Sequence, residues 1–222
     1  MSALCRLFRI GLVPYGEALR LQEQVLNSVA EGTAPEALLL LEHPPVYTLG
    51  RASSAEEHLL VSEQDLASRA QVFRVGRGGD VTFHGPGQLV GYPVMDLRVR
   101  GRDVHAYVRR LEDVLVATLR DFGVRAGRIP GLTGVWVGSE KIASIGVQVR
   151  RSITMHGFAL NVSTDLSYFS AIIPCGIQGC RMTSLSRVLG RAVELDQVAD
   201  ALLPHFARVF GVTFIDPGGP SA

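Results

Sequence analysis

Residues Gly134–Val162 read GVWVGSEKIASIGVQVRRSITMHGFALNV. Three runs rich in β-branched residues lie here, Gly134–Val137, Ile142–Val149 and Ile153–Val162, with turn breaks between them. That pattern predicts three adjacent antiparallel strands. Immediately upstream, Val104, Tyr107, Val108, Leu111, Val114, Leu115 and Leu119 recur at helical spacing behind Asp103, an N-cap residue type, and Phe122-Gly123 supplies the stop. Downstream, a helix is expected from Asp196 to Phe210, with Pro204 set to split or kink it. Towards the N-terminus, Cys5–Val13 is compatible with a strand and Glu17–Val29 with an amphipathic helix. Ala37–Leu41 reads as a buried strand stopped by His43-Pro44-Pro45, and Gln71–Val75 and Gln88–Met95 as further strands. Strands and helices interleave without repeats or low-complexity linkers. The expected class is α+β, a mixed β-sheet packed by helices, in one domain over residues 1–215 with a frayed tail at 216–222.

Composition narrows the function classes. Nearly half of the 222 residues are hydrophobic, enough for a core without metal or disulfide staples. Twenty-two basic residues against 21 acidic ones leave a formal net charge of +1, so no nucleic-acid partner is expected. No apolar run approaches the ~18 residues of a membrane span, so no membrane partner is expected either. Arg6 and Arg9 interrupt the N-terminal apolar run, which does not read as a signal peptide. Three cysteines, Cys5, Cys175 and Cys180, argue against a disulfide framework, and a reducing cytoplasmic setting is expected.

The basic residues also contain an anomaly: Lys141 is the only lysine. Drift towards arginine explains the others but not the survivor. Arginine cannot give up its proton near neutral pH, whereas a desolvated lysine can. Three further segments carry chemistry. Gly76–Gln88, GRGGDVTFHGPGQ, holds five glycines with Arg77, Asp80, Thr82, His84 and Gln88. It lacks the Lys-Ser/Thr of a P-loop, and β-rich Val81-Thr82-Phe83 rather than a helix follows its first glycines, so neither phosphate-loop template applies. It reads either as a hairpin turn or as a binding loop. His156-Gly157 places a glycine inside a strand, a mark of close approach by a backbone or ligand. Cys175 lies between Pro174 and Gly176, outside regular structure and open to attack chemistry. A Cys–His dyad using His84 or His156 is a further arrangement. A metal site lacks the usual ligand spacing, and neither metal nor cofactor is expected.

Taken together, Arg77–Gln88, Lys141–Gly146 (KIASIG), His156–Asn161 (HGFALN) and Pro174-Cys175-Gly176 occur in the order seen in the octanoyltransferases of lipoate biosynthesis. Leu39–Gly50 and Thr183-Ser184-Leu185 are similar too, so the resemblance covers roughly residues 38–189. It implies a fold like the catalytic domain of biotin and lipoate protein ligases. It also implies transfer of an octanoyl group from octanoyl-acyl carrier protein to a lysine of lipoyl domains. Those acceptors are the acyltransferase subunits of 2-oxoacid dehydrogenases and the glycine-cleavage H protein. By the same resemblance Cys175 is the acyl-thioester nucleophile and Lys141 promotes its thiolate. Arg77, Gly78, Gly79, Asp80, Val81, Thr82, Phe83 and His84 would line the acyl pocket with Ser144, Ile145, Gly146, Gly157, Phe158 and Ala159. A monomer is expected. The rivals are an ATP-dependent ligase on the same fold, a non-catalytic acyl-binding protein and a thioesterase.

Overall fold

A computed structural model describes residues 2–217. Its first half runs β1 (Ala3–Leu12), α1 (Tyr15–Glu31), β2 (Glu36–Glu42), β3 (Val46–Leu49), α2 (Glu63–Arg69), β4 (Gln71–Arg74), β5 (Thr82–His84) and β6 (Gln88–Val94). The second half runs α3 (Val104–Asp121), β7 (Gly127–Ile129), β8 (Leu132–Val137), β9 (Glu140–Arg150), β10 (Ile153–Asn161), β11 (Arg181–Met182), α4 (Leu185–Leu189), α5 (Leu195–Phe210) and β12 (Val212–Ile215). The main sheet has the order β12-β1-β2-β6-β10-β9-β8-β7, with β11 added on β9. β1 is parallel to both β12 and β2, while β2-β6-β10-β9-β8-β7 is antiparallel throughout. The expected mixed sheet and the antiparallel trio β8-β9-β10 are therefore present.

The continuous Ala37–Leu41 run is explained by helices on both faces of the sheet. Leu38 and Leu40 pack with α3 and α5, while Ala37, Leu39 and Leu41 face the other way towards α1. Successive strand residues point to opposite faces, so a strand covered twice must be apolar at every position. α3 begins at the expected N-cap, Asp103, whose carboxylate accepts a hydrogen bond from the Ala106 N–H at 3.0 Å. Such a cap is worth about 1 kcal/mol.

Pro204 does not split its helix. α5 runs unbroken through it, because Val198, Ala199, Leu202, Phe206 and Phe210 all bury on one face. The four larger of these side chains, at roughly 1.5–3 kcal/mol each, outweigh the ~3 kcal/mol penalty of an interior proline. β12 follows directly, so the chain stays regular to Ile215. The tail expected at 216–222 lies outside the described residues from 218 onward. A second sheet, β4-β3-β5, stands beside the first. It carries the glycine-rich segment at its edge, and its small core contains Tyr47, Leu66, Phe83 and Phe169.

Candidate active site

β9 supplies Lys141 and Ser144, and a short 3₁₀ turn, Pro174–Gly176, supplies Cys175. Lys141 is 1% exposed, yet its Nζ donates a hydrogen bond to Cys175 Sγ at 3.2 Å. The lysine stem passes under Gly134, where an added Cβ would sit 2.6 Å from Lys141 Cε. Only a residue without a side chain leaves that path open. The ammonium also stands 5.3 Å from the centre of the Trp136 ring, a cation–π distance. The Ser144 hydroxyl is 3.8 Å from the sulfur. These two side chains, and neither His84 nor His156, are the hydrogen-bonding partners of Sγ.

Cys175 has φ +58°, ψ +19°, a left-handed conformation costly for a residue with a Cβ. Three contacts hold it there. Its N–H donates to Val81 O at 3.0 Å, and the Gly176 N–H donates to Ile173 O at 3.0 Å. The third is His58, whose Nδ1 bonds the Asp80 carboxylate at 2.9 Å. A Cβ at Gly176 would lie 2.8 Å from the His58 ring, so the ring packs directly on the turn. Asp80 further accepts from Ser54 Oγ at 3.1 Å and the Val81 N–H at 2.7 Å. His58 escaped the sequence reading because its partner is 22 residues away and no motif spans the gap.

Two further thiols lie away from the lysine contact. Burial pushes the Cys5 thiol up to about 12, and Cys180 also lies above its ordinary value through burial. Neither is prepared to be a nucleophile.

The cysteine and lysine open onto a cavity of about 590 Å³. Its wall includes Arg77, Gly78, Gly79, Asp80, Thr82 and His84, together with Ser144, Ile145, Gly146, Gly157, Phe158 and Ala159. Val81 and Phe83 do not reach it. Strand alternation along Val81-Thr82-Phe83-His84 turns Thr82 and His84 to the cavity and sends Val81 and Phe83 into the small core behind. Their expected place as pocket walls is therefore corrected: they support the wall from the back. Two tyrosines that the sequence did not single out, Tyr15 and Tyr92, line the cavity as well.

A buried chain of hydrogen bonds fixes this wall. Arg77 Nη2 donates to Thr48 O and Oγ1 at 2.7 and 2.8 Å, and the Thr48 hydroxyl lies 3.5 Å from His84 Nε2. His84 Nδ1 bonds Gln88 Oε1 at 2.8 Å, Gln88 Nε2 donates to Asn161 Oδ1 at 2.9 Å, and Asn161 Nδ2 donates to Thr183 O at 3.0 Å. The Thr183 N–H then donates to Lys141 O at 2.9 Å. The glycine-rich segment and the lysine are thus tied through one polar network.

Burial drives the pKa of His43 down to about 4, of His84 to about 3 and of His156 to about 4. All three are neutral near pH 7. Their unfolded value is near 6.5, so below that pH the unfolded chain binds protons the folded chain refuses. Stability must therefore fall as pH drops from about 6.5 towards 4, by on the order of 2 kcal/mol per histidine at pH 5. A thermal-unfolding series should show the midpoint dropping across that window; a flat profile would contradict these neutral, buried histidines.

Comparisons with known proteins place the chain in a family. The family profile of the lipoyl protein ligase A/B catalytic domain matches residues 14–207. An octanoyltransferase of Solibacter usitatus is 53% identical over 220 residues, 98% of either chain. That of Geobacter metallireducens is 54% identical over 197 residues, 89% of either chain. In fold, a bi-partite lipoate protein ligase from Thermoplasma acidophilum superposes with TM-score 0.71 at 20% identity, covering 96% of this chain and 86% of that one. The chain belongs to the lipoyl protein ligase A/B catalytic-domain family and, within it, to the octanoyltransferases, acyltransferase enzymes of lipoate biosynthesis.

Proposed function

We propose that the enzyme carries the octanoyl group on Cys175, taking it from octanoyl-acyl carrier protein and passing it to a lysine of a lipoyl domain. The observation that carries this reading is the 3.2 Å contact between buried Lys141 Nζ and the Cys175 sulfur at the edge of a cavity. A free thiol with pKa ~8.5 is only about 3% thiolate at pH 7. Lys141 Nζ stands beside the sulfur, where the thiolate's charge would form.

The thiolate attacks the carrier thioester carbonyl, a carbon–sulfur bond forms to Cys175, and the carrier thiolate leaves. Lys141 Nζ then passes a proton to the departing thiolate. The acceptor lysine, arriving as a free amine, attacks the Cys175 thioester. Its surplus proton passes to neutral Lys141, and Cys175 leaves as thiolate beside the restored ammonium. Arginine supplies the charge but not the proton cycle. The sulfur of the carrier thioester is replaced by an equivalent sulfur, so the first step is nearly isoenergetic, and amide formation drives the second.

An assay with octanoyl-acyl carrier protein and an apo lipoyl domain should show the acceptor gaining one octanoyl mass without ATP. Transfer from free octanoate that requires ATP would instead identify a ligase, and release of free octanoate a thioesterase. The same assay with H protein as acceptor extends the reading to glycine cleavage.

A further inference from the structure

Among the described residues, five that are not glycine have positive φ. Arg102, Arg151 and Ser152 lie in loops and turns; the other two are Cys175 and His156, at φ +58° and +56°. His156 sits within β10, where a left-handed residue is out of place. Such strain persists only where the surroundings impose it, and it concentrates at functional positions. Here its N–H is held by Gln22 Oε1 at 2.7 Å, and its Nδ1 lies 3.5 Å from the Tyr15 hydroxyl. Its other ring nitrogen, Nε2, is buried and has no partner among the described residues. The residue is 2% exposed and lines the cavity.

Register fixes where along the cavity this happens. Ser144, beside the nucleophile, pairs with Ala159; Ile145 pairs with Phe158, Gly146 with Gly157, and Val147 with His156. His156 is thus three register steps from Ser144, about 10 Å at a strand rise of 3.2–3.4 Å per residue. All four strand pairs border the cavity. An extended eight-carbon acyl chain on Cys175 has that length. Tyr15, Tyr92 and His84 are buried around the same end, whereas His105 and Thr133, which also line the cavity, are exposed.

We propose that His156, backed by Tyr15, is the specificity-determining end wall of the acyl cavity and limits the chain to eight carbons. The inference rests on reading the cavity as the acyl site. An octanoyl methyl stops short of the imidazole. Two further methylenes must press against the unpartnered nitrogen and the phenol hydroxyl, stripping polar atoms of any remaining solvation with nothing in exchange. Before that point the wall is formed by Ile145, Phe158, Ala159 and the backbone of Gly146 and Gly157, with the Arg77 side chain lying over Gly146. His156 is a specificity residue and touches no reacting atom.

The test compares kcat/KM for hexanoyl, octanoyl, decanoyl and dodecanoyl carrier thioesters in the parent, His156→Asn and Tyr15→Phe. Asparagine tolerates the left-handed conformation and is shorter, so it lengthens the cavity without new backbone strain. The decanoyl-to-octanoyl ratio should rise by about 10-fold or more in His156→Asn, the range a methylene commands in a fitted pocket. It should rise less in Tyr15→Phe, which removes only the hydroxyl and guards the test against misfolding of the histidine variant. Octanoyl turnover in both variants with an unchanged ratio would overturn the assignment. Parent enzyme inert towards every carrier thioester would sink the acyl-transfer reading itself, a distinct outcome.

Discussion

Cys175→Ser lowers octanoyl transfer by about 10³-fold or more while leaving the fold intact, as removal of a nucleophile that works as a unit with its partner does. Serine fits the same left-handed turn and keeps the N–H bond to Val81 O, so the architecture survives. What goes is the sulfur nucleophile. The serine hydroxyl ionises far above any accessible pH, and the residue 3.2 Å from it is a lysine ammonium, a charge rather than a base. His58 packs on the turn but makes no hydrogen bond to the sulfur, so it offers no substitute. A circular-dichroism spectrum and thermal midpoint near the parent's, together with the lost rate, identify the defect as chemical. A serine variant that turned over within tenfold of the parent would point to a role for the cavity in binding alone.

Lys141 gives the second large effect, and its two roles separate in two variants. Lys141→Met keeps the stem beneath Gly134 and removes the charge, so acylation of Cys175 and transfer to the acceptor should both fall, by about 10²–10⁴-fold for the proton-transfer part. Lys141→Arg retains a positive charge that cannot be surrendered. Acylation should persist in part while transfer to the lipoyl-domain lysine drops by a similar factor. Rapid-quench measurement of each half-reaction distinguishes the two. Equal loss in both halves for Lys141→Arg would mean that charge and position are all the lysine provides, and would remove its part as proton acceptor.

Much of this site was legible because its information is local or compositional. Lys141 stood out as the only lysine, and Cys175 as a thiol held between proline and glycine outside regular structure. The helix behind Asp103 and the trio β8-β9-β10 were legible because each spans several full periods of its pattern. β3, β5 and β12 were not, since strands of three or four residues show barely one alternation. That gap had a consequence: without β5, nothing revealed that Val81 and Phe83 face away from the cavity while Thr82 and His84 face it. The His58–Asp80 pair and the Tyr15–His156 contact join residues 22 and 141 positions apart, a separation that no local pattern encodes. Pro204 misled for the opposite reason, a strong local signal overruled by burial of the whole α5 face.

The central claim is that the acyl group rests covalently on one sulfur. Intact mass spectrometry of the reduced enzyme after incubation with octanoyl-acyl carrier protein, with no acceptor present, tests it most directly. The expected result is a single octanoyl adduct, released by neutral hydroxylamine, mapping to Cys175 and absent from Cys175→Ser. Active enzyme that transfers octanoate to a lipoyl domain yet never shows that adduct, or shows it on Cys180, would contradict the account.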